Sequence, residues 1–292
     1  MGIALSGLIL ISTVLHFQTL SFANGNDLPY ILFLPTYAAT AWYHGKLDRT
    51  LLRKPVEEII REAEAFAIGE YASALMQGDR ITTAVRTQVL RQLVRLTGLS
   101  AEYLELSDLR IDIWKFCKEL RRADGVVVGR LDSRIMGQEG RGTADGPEND
   151  PSMSAIRPPY TAAFNRYCRE VLGFQTDRSY QILGGAYAKW DWGKGNQYTD
   201  TSVHLRQAMC RNPHMQVFVA SGYYDLATPH FAAEYTFSHM GLPEALRDQI
   251  AISYYPSGHM MYIESGCLEQ LKVDVAAWAG QALGTSQVED EG

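Results

Sequence analysis

Two residues of this sequence, Asp225 and His259, combine acid–base side chains with positions where such chemistry is commonly found. Asp225 follows the apolar segment 215–222 (MQVFVASG), and His259 follows the apolar segment 250–256 (IAISYYP). Both segments have the pattern of strands in a parallel sheet, and catalytic groups collect at the carboxyl ends of such strands. We therefore expect Asp225 to orient the imidazole of His259, whose other ring nitrogen would act as a general base.

The order of these two residues along the chain is the second half of a Ser…Asp…His catalytic triad. The nucleophile is missing, because the sequence contains no Gly-x-Ser-x-Gly motif. Ser6 lies at the start of an apolar strand, and Ser221 belongs to the strand that leads to Asp225. Taken singly, Asp225 could be a turn former and His259 a helix-entry residue. Together, and in this strand context, they indicate an acid and a base without a recognisable nucleophile.

Other groups that could carry chemistry give weaker signals. Four histidines lack the spacing of a metal motif such as His-Glu-x-x-His, so no metal is predicted. They are His204, His214, His230 and His239. The glycines at 184–185 lack a dinucleotide-binding pattern, so no cofactor is predicted either. A group of aromatic residues either lines an apolar cleft or packs inside a cap. It comprises Tyr187, Trp190, Trp192 and Tyr198.

The surrounding sequence divides into three regions that would position these residues. Residues 201–292 alternate between helical and strand patterns, which indicates a parallel sheet with crossover helices. Residues 51–200 are mostly helical. Helices are predicted at 55–77, 80–96, 107–122 and 160–172, with a loop at 137–154 that is rich in Gly, Pro, Asp and Asn. In residues 1–50, Pro29 and Pro35 are expected to interrupt the chain before a short helix at 38–44.

The apolar run at residues 3–17 allows three interpretations. A signal peptide would have a positively charged residue before the run, and none is present. The run is also short for a membrane span. We favour a buried strand at 8–15, apolar on both faces as in the interior of a parallel sheet.

Composition excludes several classes of function. The chain has 292 residues, 46% of them hydrophobic and 21% charged, which is ordinary for a globular protein. Its net charge of −6 does not favour nucleic acid or an anionic membrane as a partner. The four cysteines are scattered and form no Cys-x-x-Cys pair, so buried thiols are expected rather than a metal site or a disulfide framework.

Several segments resemble the serine carboxypeptidase family of α/β-hydrolases, in particular its bacterial branch. The segments around the two predicted catalytic residues are SGYYDLATPHFAAEY (221–235) and ISYYPSGHMMY (252–262). The stretch from GLILISTVL to NDLPYILFLPTYAATAWYHGKL (7–47) also resembles the family. So do VGRLDSR (128–134) and RPPYTAAFNRY (157–167), and all lie in the order that the family would have.

This resemblance implies a fold, a reaction and two roles. The fold would be a partial α/β-hydrolase core at 1–50 and 201–292, with a largely helical cap at 51–200 between the two parts. Asp225 would be the triad acid and His259 the triad base. The reaction would release a C-terminal amino acid from a peptide, or cleave a small ester or amide, through a serine ester. The family's nucleophile lies in a Gly-Glu-Ser-Tyr-Gly elbow upstream of the segment matched from residue 7.

We therefore expect the chain to be the C-terminal part of such a hydrolase and to be inactive or nearly so alone. Two alternatives stay open: a non-catalytic relative that binds ligands through the cap, and an acyltransferase or lyase on the same scaffold. A strand at 8–15 without further neighbours would be an apolar sheet edge, which predicts poor solubility. Family members are often exported, but compartment and oligomeric state are not indicated by the sequence.

Overall fold

A computed structural model describes residues 4–180, 182, 189–193, 195 and 197–283 of the chain. It has a mixed α/β fold, which confirms the coarse fold class expected from sequence. The strands are β1 Gly7–Ile11, β2 Val126–Val128, β3 Met136–Gln138, β4 Gln216–Gly222 and β5 Ile250–Tyr255. The helices are α1 Leu28–Tyr43, α2 Val56–Phe66, α3 Ala72–Leu75, α4 Thr83–Thr97, α5 Ala101–Leu106, α6 Ile113–Glu119, α7 Pro151–Arg166, α8 Ser202–Arg211, α9 His230–Ser238, α10 Glu244–Arg247 and α11 Ser265–Ala282.

The main sheet has three parallel strands in the order β1–β4–β5. The central strand, β4, is buried along nearly its whole length, as its continuous apolar sequence predicts. The prediction for the first strand was partly wrong: β1 ends at Ile11 rather than at residue 15. It pairs with β4 alone among the described residues, and the Ile9 side chain is 45% exposed. The strand ends there because Ser12 has a left-handed backbone conformation, with φ of 49°.

Helices cover both faces of this sheet. On one face, Val217 and Val219 of β4 pack with apolar residues of α8 and α9, including Met209 and Phe237. On the other face, Phe218 and Ala220 pack against α11, which contributes Leu271 and Trp278. The two sets alternate along β4 because successive side chains of a strand point to opposite faces. None of the described helices is both long enough and apolar enough to cross a membrane.

The helical region has its own hydrophobic core, in which α1 occupies the centre. We expected Pro29 and Pro35 to break this segment, but α1 runs unbroken from Leu28 to Tyr43. Pro29 lies in the first turn, where its missing N–H costs nothing. Pro35 lies inside the helix and removes one hydrogen bond. The helix continues through it because every residue from 32 to 41 is buried against neighbouring elements.

The next two predicted helices are present with changed boundaries. The segment predicted as one helix at 55–77 is α2, a π-helical turn at Ala67–Tyr71 and then α3. The helix predicted at 80–96 is α4, whose first turn is capped by Thr82 and whose end is marked by Gly98 with φ of 69°. A Cβ at Gly98 would collide with Lys46. Both this collision and the positive φ angle disfavour any residue larger than glycine at this position.

Two predictions between residues 107 and 172 need larger corrections. The helix expected at 107–122 is confined to α6, because Asp108 and Leu109 have positive φ angles of 50° and 60°. The loop expected at 137–154 is shorter at both ends. Its first residues belong to β3, which pairs with β2, and its last residues belong to α7, which begins at Pro151. Asp150 caps α7, its side chain accepting hydrogen bonds from the backbone N–H groups of Ser152 and Met153.

The fourth predicted helix, expected at 160–172, therefore starts nine residues earlier and ends at Arg166. A π-helical turn follows at Tyr167–Val171. All four cysteines are free thiols: Cys117 and Cys267 are buried, Cys168 is partly buried and Cys210 is exposed.

Candidate catalytic site

Asp225 and His259 lie side by side at the carboxyl ends of β4 and β5. These strands are parallel neighbours, and the last pair of their ladder is Gly222 with Tyr255. The Asp225 side chain is completely buried, and its Oδ2 lies 2.8 Å from Nδ1 of His259. The two residues predicted from sequence are thus in direct hydrogen-bond contact, although their catalytic role remains a prediction.

The turn that follows β4 holds the Asp225 carboxylate in one orientation. Oδ1 accepts hydrogen bonds from the backbone N–H groups of Ala227, at 2.7 Å, and Thr228, at 2.9 Å. Oδ2 accepts a third from the Thr228 hydroxyl at 2.8 Å. The remaining contact of Oδ2 is with His259. A carboxylate fixed in this way can hold an imidazole in a single orientation and tautomer.

Two distant segments hold the backbone of His259. Its N–H donates to the carbonyl oxygen of Leu131 at 2.6 Å, and its own carbonyl oxygen accepts from the Ser12 hydroxyl at 2.6 Å. The Ser12 N–H in turn donates to Ala220 of β4 at 2.9 Å. The left-handed conformation that ends β1 therefore also places the Ser12 side chain against the histidine turn.

The hydrogen bond to Asp225 fixes the tautomer of the neutral imidazole. Nδ1 faces the carboxylate and carries the proton, so Nε2 carries the lone pair and can accept a proton. The His259 side chain is 30% exposed, so one side of the ring is accessible. Burial lowers its pKa, but the charge and the hydrogen bond of Asp225 outweigh this and raise the pKa above the ordinary value for histidine.

Glycines allow the strand ends to approach one another closely. A Cβ at Gly222 would collide with the carbonyl oxygens of Ser257 and Gly258 in the turn after β5. A Cβ at Gly258 would collide in turn with Leu131 and Asp132. Only a residue without a side chain fits either position. The turns that carry Asp225 and His259 are therefore packed backbone to backbone.

The segment 128–134 contacts the turn after β5 through the side chain of Arg134. Its guanidinium forms an ion pair with Asp132, with 2.7 Å between Nη2 and Oδ2. It also donates to the carbonyl oxygen of Pro256 at 2.6 Å and to the hydroxyl of Ser257 at 3.1 Å. The segment VGRLDSR, one of those that resemble the carboxypeptidase family, thus supports the histidine turn directly.

A cavity of about 380 Å³ opens beside His259. One wall is α7, which contributes mainly apolar side chains, and the other is the turn carrying His259. The lining residues are Arg130, Leu131, Met153, Ile156, Arg157, Tyr160, Phe164, Tyr180, Ile182, His259 and Met260. A concave, mostly apolar cavity with a few charged groups next to an acid–base pair has the composition of a small-molecule or peptide side-chain site.

Of the aromatic residues predicted near a cleft, those that the structure describes do not line this cavity. Trp192 and Tyr198 border a separate depression with His204. Trp190 is 66% exposed, and Tyr187 lies outside the described residues, as do Gly184 and Gly185. The cavity is lined instead by residues of the segment 157–167 and its neighbours.

No serine of the described residues is positioned as a nucleophile for His259. Side-chain partners of the imidazole within that part of the chain are Asp225 and Thr228, both on the Nδ1 side. Ser6 is exposed before β1, and Ser221 is buried inside β4. The Ser12 hydroxyl contacts the carbonyl oxygen of His259, not its ring.

Sequence reasoning missed two residues that complete the geometry. Thr228 could have been found from its place three residues after Asp225, a common spacing for a hydroxyl or N–H that returns to a carboxylate in a turn. Ser12 gave no such signal, because its partner is 247 positions away.

The prediction of no metal considered only the spacing of histidines along the sequence, and a histidine on a helix can also meet carboxylates that are distant in sequence. The structure brings Glu64, His230 and Glu234 together in this way. The remaining histidines of that set, His204, His214 and His239, belong to no such group among the described residues.

Comparisons with protein-family models, with curated proteins and with solved structures find no match to this chain.

Proposed function

We propose that Asp225 and His259 are the acid and base of a serine carboxypeptidase-like hydrolase, and that the nucleophile is a serine outside this chain. The observation that carries the proposal is the 2.8 Å hydrogen bond between a buried carboxylate and an accessible imidazole on adjacent parallel strand ends. The resemblance of five segments to that family supports the same reaction. Asp225 contacts only the Nδ1 side, so Nε2 is the atom that would receive a proton.

In the proposed reaction, Nε2 of His259 accepts the hydroxyl proton of the serine as its oxygen attacks the scissile carbonyl carbon. The imidazolium then gives this proton to the leaving amine or alcohol when the carbon–nitrogen or carbon–oxygen bond breaks. Water next attacks the resulting ester, again losing a proton to Nε2, and the serine is released with its proton restored. Asp225 keeps its hydrogen bond to Nδ1 and stabilises the imidazolium in each step.

The cavity suggests which substrates the site would accept. Met153, Ile156 and Phe164 offer apolar surface that suits a large aliphatic or aromatic side chain. Arg130 and Arg157 lie at the same cavity and would attract an anionic group such as a terminal carboxylate. We infer that the preferred substrate is a peptide with an apolar residue next to the scissile bond.

A binding module is the second candidate. It is favoured by one observation: among the described residues, no serine hydroxyl contacts the His259 ring. In that case the same cavity would bind an apolar ligand without converting it.

The experiment places an affinity tag after Gly292 at the natural locus, so that whatever chain the locus encodes is captured. The purified protein is tested for release of leucine from an N-blocked Phe-Leu dipeptide and for labelling by a fluorophosphonate. The hydrolase proposal predicts both signals, and it predicts that His259→Ala removes both almost completely. The matched control is His239→Ala, an exposed histidine that should leave the rate unchanged. The separate 292-residue chain should not be labelled.

Hydrolysis that survives in His259→Ala would contradict the assigned base. A captured protein that binds the dipeptide but neither cleaves it nor reacts with the fluorophosphonate would favour the binding module.

A further inference from the structure

A second cluster of reactive side chains lies away from the His259 cavity, between α2 and α9. Glu64 comes from α2, while His230 and Glu234 occupy positions one turn apart on α9. One ligand atom from each residue lies within 4.8 Å of the other two. Two carboxylates and an imidazole at such separations form a donor set of the kind that binds transition-metal ions.

The spacing of these atoms suits a single ion. The Nε2 atom of His230 lies 3.2 Å from Oε1 of Glu64. Two donors that each lie about 2.1 Å from a tetrahedral ion are about 3.4 Å apart. A metal ion placed against both atoms would therefore need only a small adjustment of the side chains. A carboxylate oxygen of Glu234 lies near enough to both atoms to serve as a third ligand of the same ion.

The imidazole is held in the orientation that a metal ligand requires. His230 is 1% exposed, and its Nδ1 lies 3.5 Å from the Thr36 hydroxyl on α1. The rings of Tyr223 and Tyr254 pack against it at centroid distances of 5.6 and 5.9 Å, both nearly perpendicular. Packing and a partner at Nδ1 thus direct Nε2 towards the carboxylates, as outer contacts do for metal-bound histidines.

Charge in the cluster is not balanced by a basic side chain. Within the described residues, a Glu64 carboxylate oxygen contacts the His230 imidazole, and neither Glu64 nor Glu234 forms an ion pair with a lysine or arginine. Glu234 hydrogen-bonds instead to the hydroxyl of Tyr254. Two partly buried carboxylates beside one imidazole carry a net negative charge that a divalent cation would neutralise.

We propose that Glu64, His230 and Glu234 bind one divalent transition-metal ion of the Zn²⁺ type, with water completing its coordination. The ion would link α2 to the start of α9, two residues after Thr228. Its main effect would be to stabilise the turn that carries Asp225. This site is separate from the proposed hydrolase chemistry, which does not require it.

The test uses the untagged 292-residue chain, stripped with a chelator, and ZnCl2 as the probe. After dialysis we expect one zinc per chain by elemental analysis and a higher melting temperature than in the stripped protein. We expect at least tenfold weaker zinc binding from each of the substitutions Glu64→Gln, His230→Gln and Glu234→Gln. Losses of this size are typical when a group that holds a metal ligand in place is removed. Glu57→Gln, an exposed carboxylate on the same helix, is the matched control and should bind normally.

X-ray absorption of the zinc-loaded wild type keeps the proposal testable if a variant does not fold. We expect only nitrogen and oxygen neighbours, with the scattering pattern of a single imidazole. Sulfur in the zinc shell would overturn the proposal, because it would point to a thiol such as the exposed Cys210. So would undetectable zinc retention by wild type, or equal retention by the three variants. Zinc binding and dipeptide hydrolysis are measured separately, so failure of one does not imply failure of the other.

Discussion

The hydroxyl of Ser12 donates a 2.6 Å hydrogen bond to the carbonyl oxygen of His259. The contact ties the end of β1 to the histidine turn across 247 positions of sequence. It therefore joins a strand that ends at a left-handed residue to the group proposed as the general base.

Two replacements of Ser12 should distinguish the contribution of its hydrogen bond to stability from the cost of its left-handed backbone conformation. Ser12→Ala removes the hydrogen bond but keeps the φ of 49°, so we expect a loss of about 1 kcal/mol in the free energy of unfolding. Ser12→Gly loses the same hydrogen bond but adopts a positive φ without a Cβ conflict, so it should be more stable than Ser12→Ala. Urea denaturation measures both, with the exposed Ser6→Ala as the control. Equal stability of Ser12→Ala and wild type would contradict a structural role for this contact.

Asp225→Asn should change the titration of His259. The charge of Asp225 favours the imidazolium, so its removal should lower the pKa of His259. NMR titration of the imidazole protons measures this shift directly. In an active form of the protein, the acidic limb of kcat/KM should move to lower pH, while the rate falls sharply because the tautomer is no longer fixed. Asp248→Asn, an exposed carboxylate before β5, should leave the titration unchanged.

The raised pKa of His259 also predicts how stability depends on pH. Its pKa is higher in the folded than in the unfolded state, so the imidazolium form stabilises the fold. This contribution is complete below the unfolded pKa of about 6.5 and is lost as the pH rises through the folded pKa. The difference in unfolding free energy between wild type and His259→Gln should thus be greater in acid than in alkali. Chemical denaturation at a series of pH values measures it, and an unchanged difference would argue against the ion pair.

Filling the cavity should block ligands without disturbing the acid–base pair. Ile156→Trp places a bulky ring in the wall formed by α7, so binding of an N-blocked Phe-Leu dipeptide should weaken at least tenfold, about 1.4 kcal/mol. Calorimetry measures the affinity, and NMR verifies that the His259 titration is unchanged. Ala155→Trp, one residue away and exposed, is the matched control. Normal binding by Ile156→Trp would place the ligand elsewhere.

A buried ion pair between Lys118 and Glu139 should be sensitive to loss of one partner. Their side chains are 1% and 4% exposed, with 3.0 Å between Nζ and Oε2. Lys118→Met would leave the carboxylate buried and unpaired, at a cost of about 3–5 kcal/mol. The double variant with Glu139→Leu should recover much of that loss, which a double-mutant cycle measures. Additive effects of the two substitutions would contradict the pairing.

Local patterns in the sequence were sufficient to predict the sheet that carries the candidate site. Segments 215–222 and 250–256 are continuous apolar runs that end in turns, and they form β4 and β5 as neighbours. The placement of Asp225 and His259 after these runs followed directly. The helix starting at Pro151 was missed although Asp150 and Pro151 are a good N-cap and first residue, because the Gly- and Asn-rich segment before them favoured a loop.

Contacts between distant segments could not be predicted from one sequence. Glu64 and His230 are 166 positions apart, so no local motif joins them. Lys118 lies in α6 and Glu139 directly follows β3, so these two charges also come from separate elements. In each case the tertiary fold, not a local motif, brings the charges together.

The parallel pairing of β1 with β4 also constrains how the molecule folds. Gly7 pairs with Gln216, so about 200 residues of chain separate the two strands. The strands can pair only after this intervening chain has folded or has closed as a long loop. Contacts among α1, α2 and α4 span much shorter stretches and can form early. The sheet, and with it the meeting of Ser12, Asp225 and His259, should therefore be the late event in folding. Substitutions along β1 should accelerate unfolding more than they slow folding.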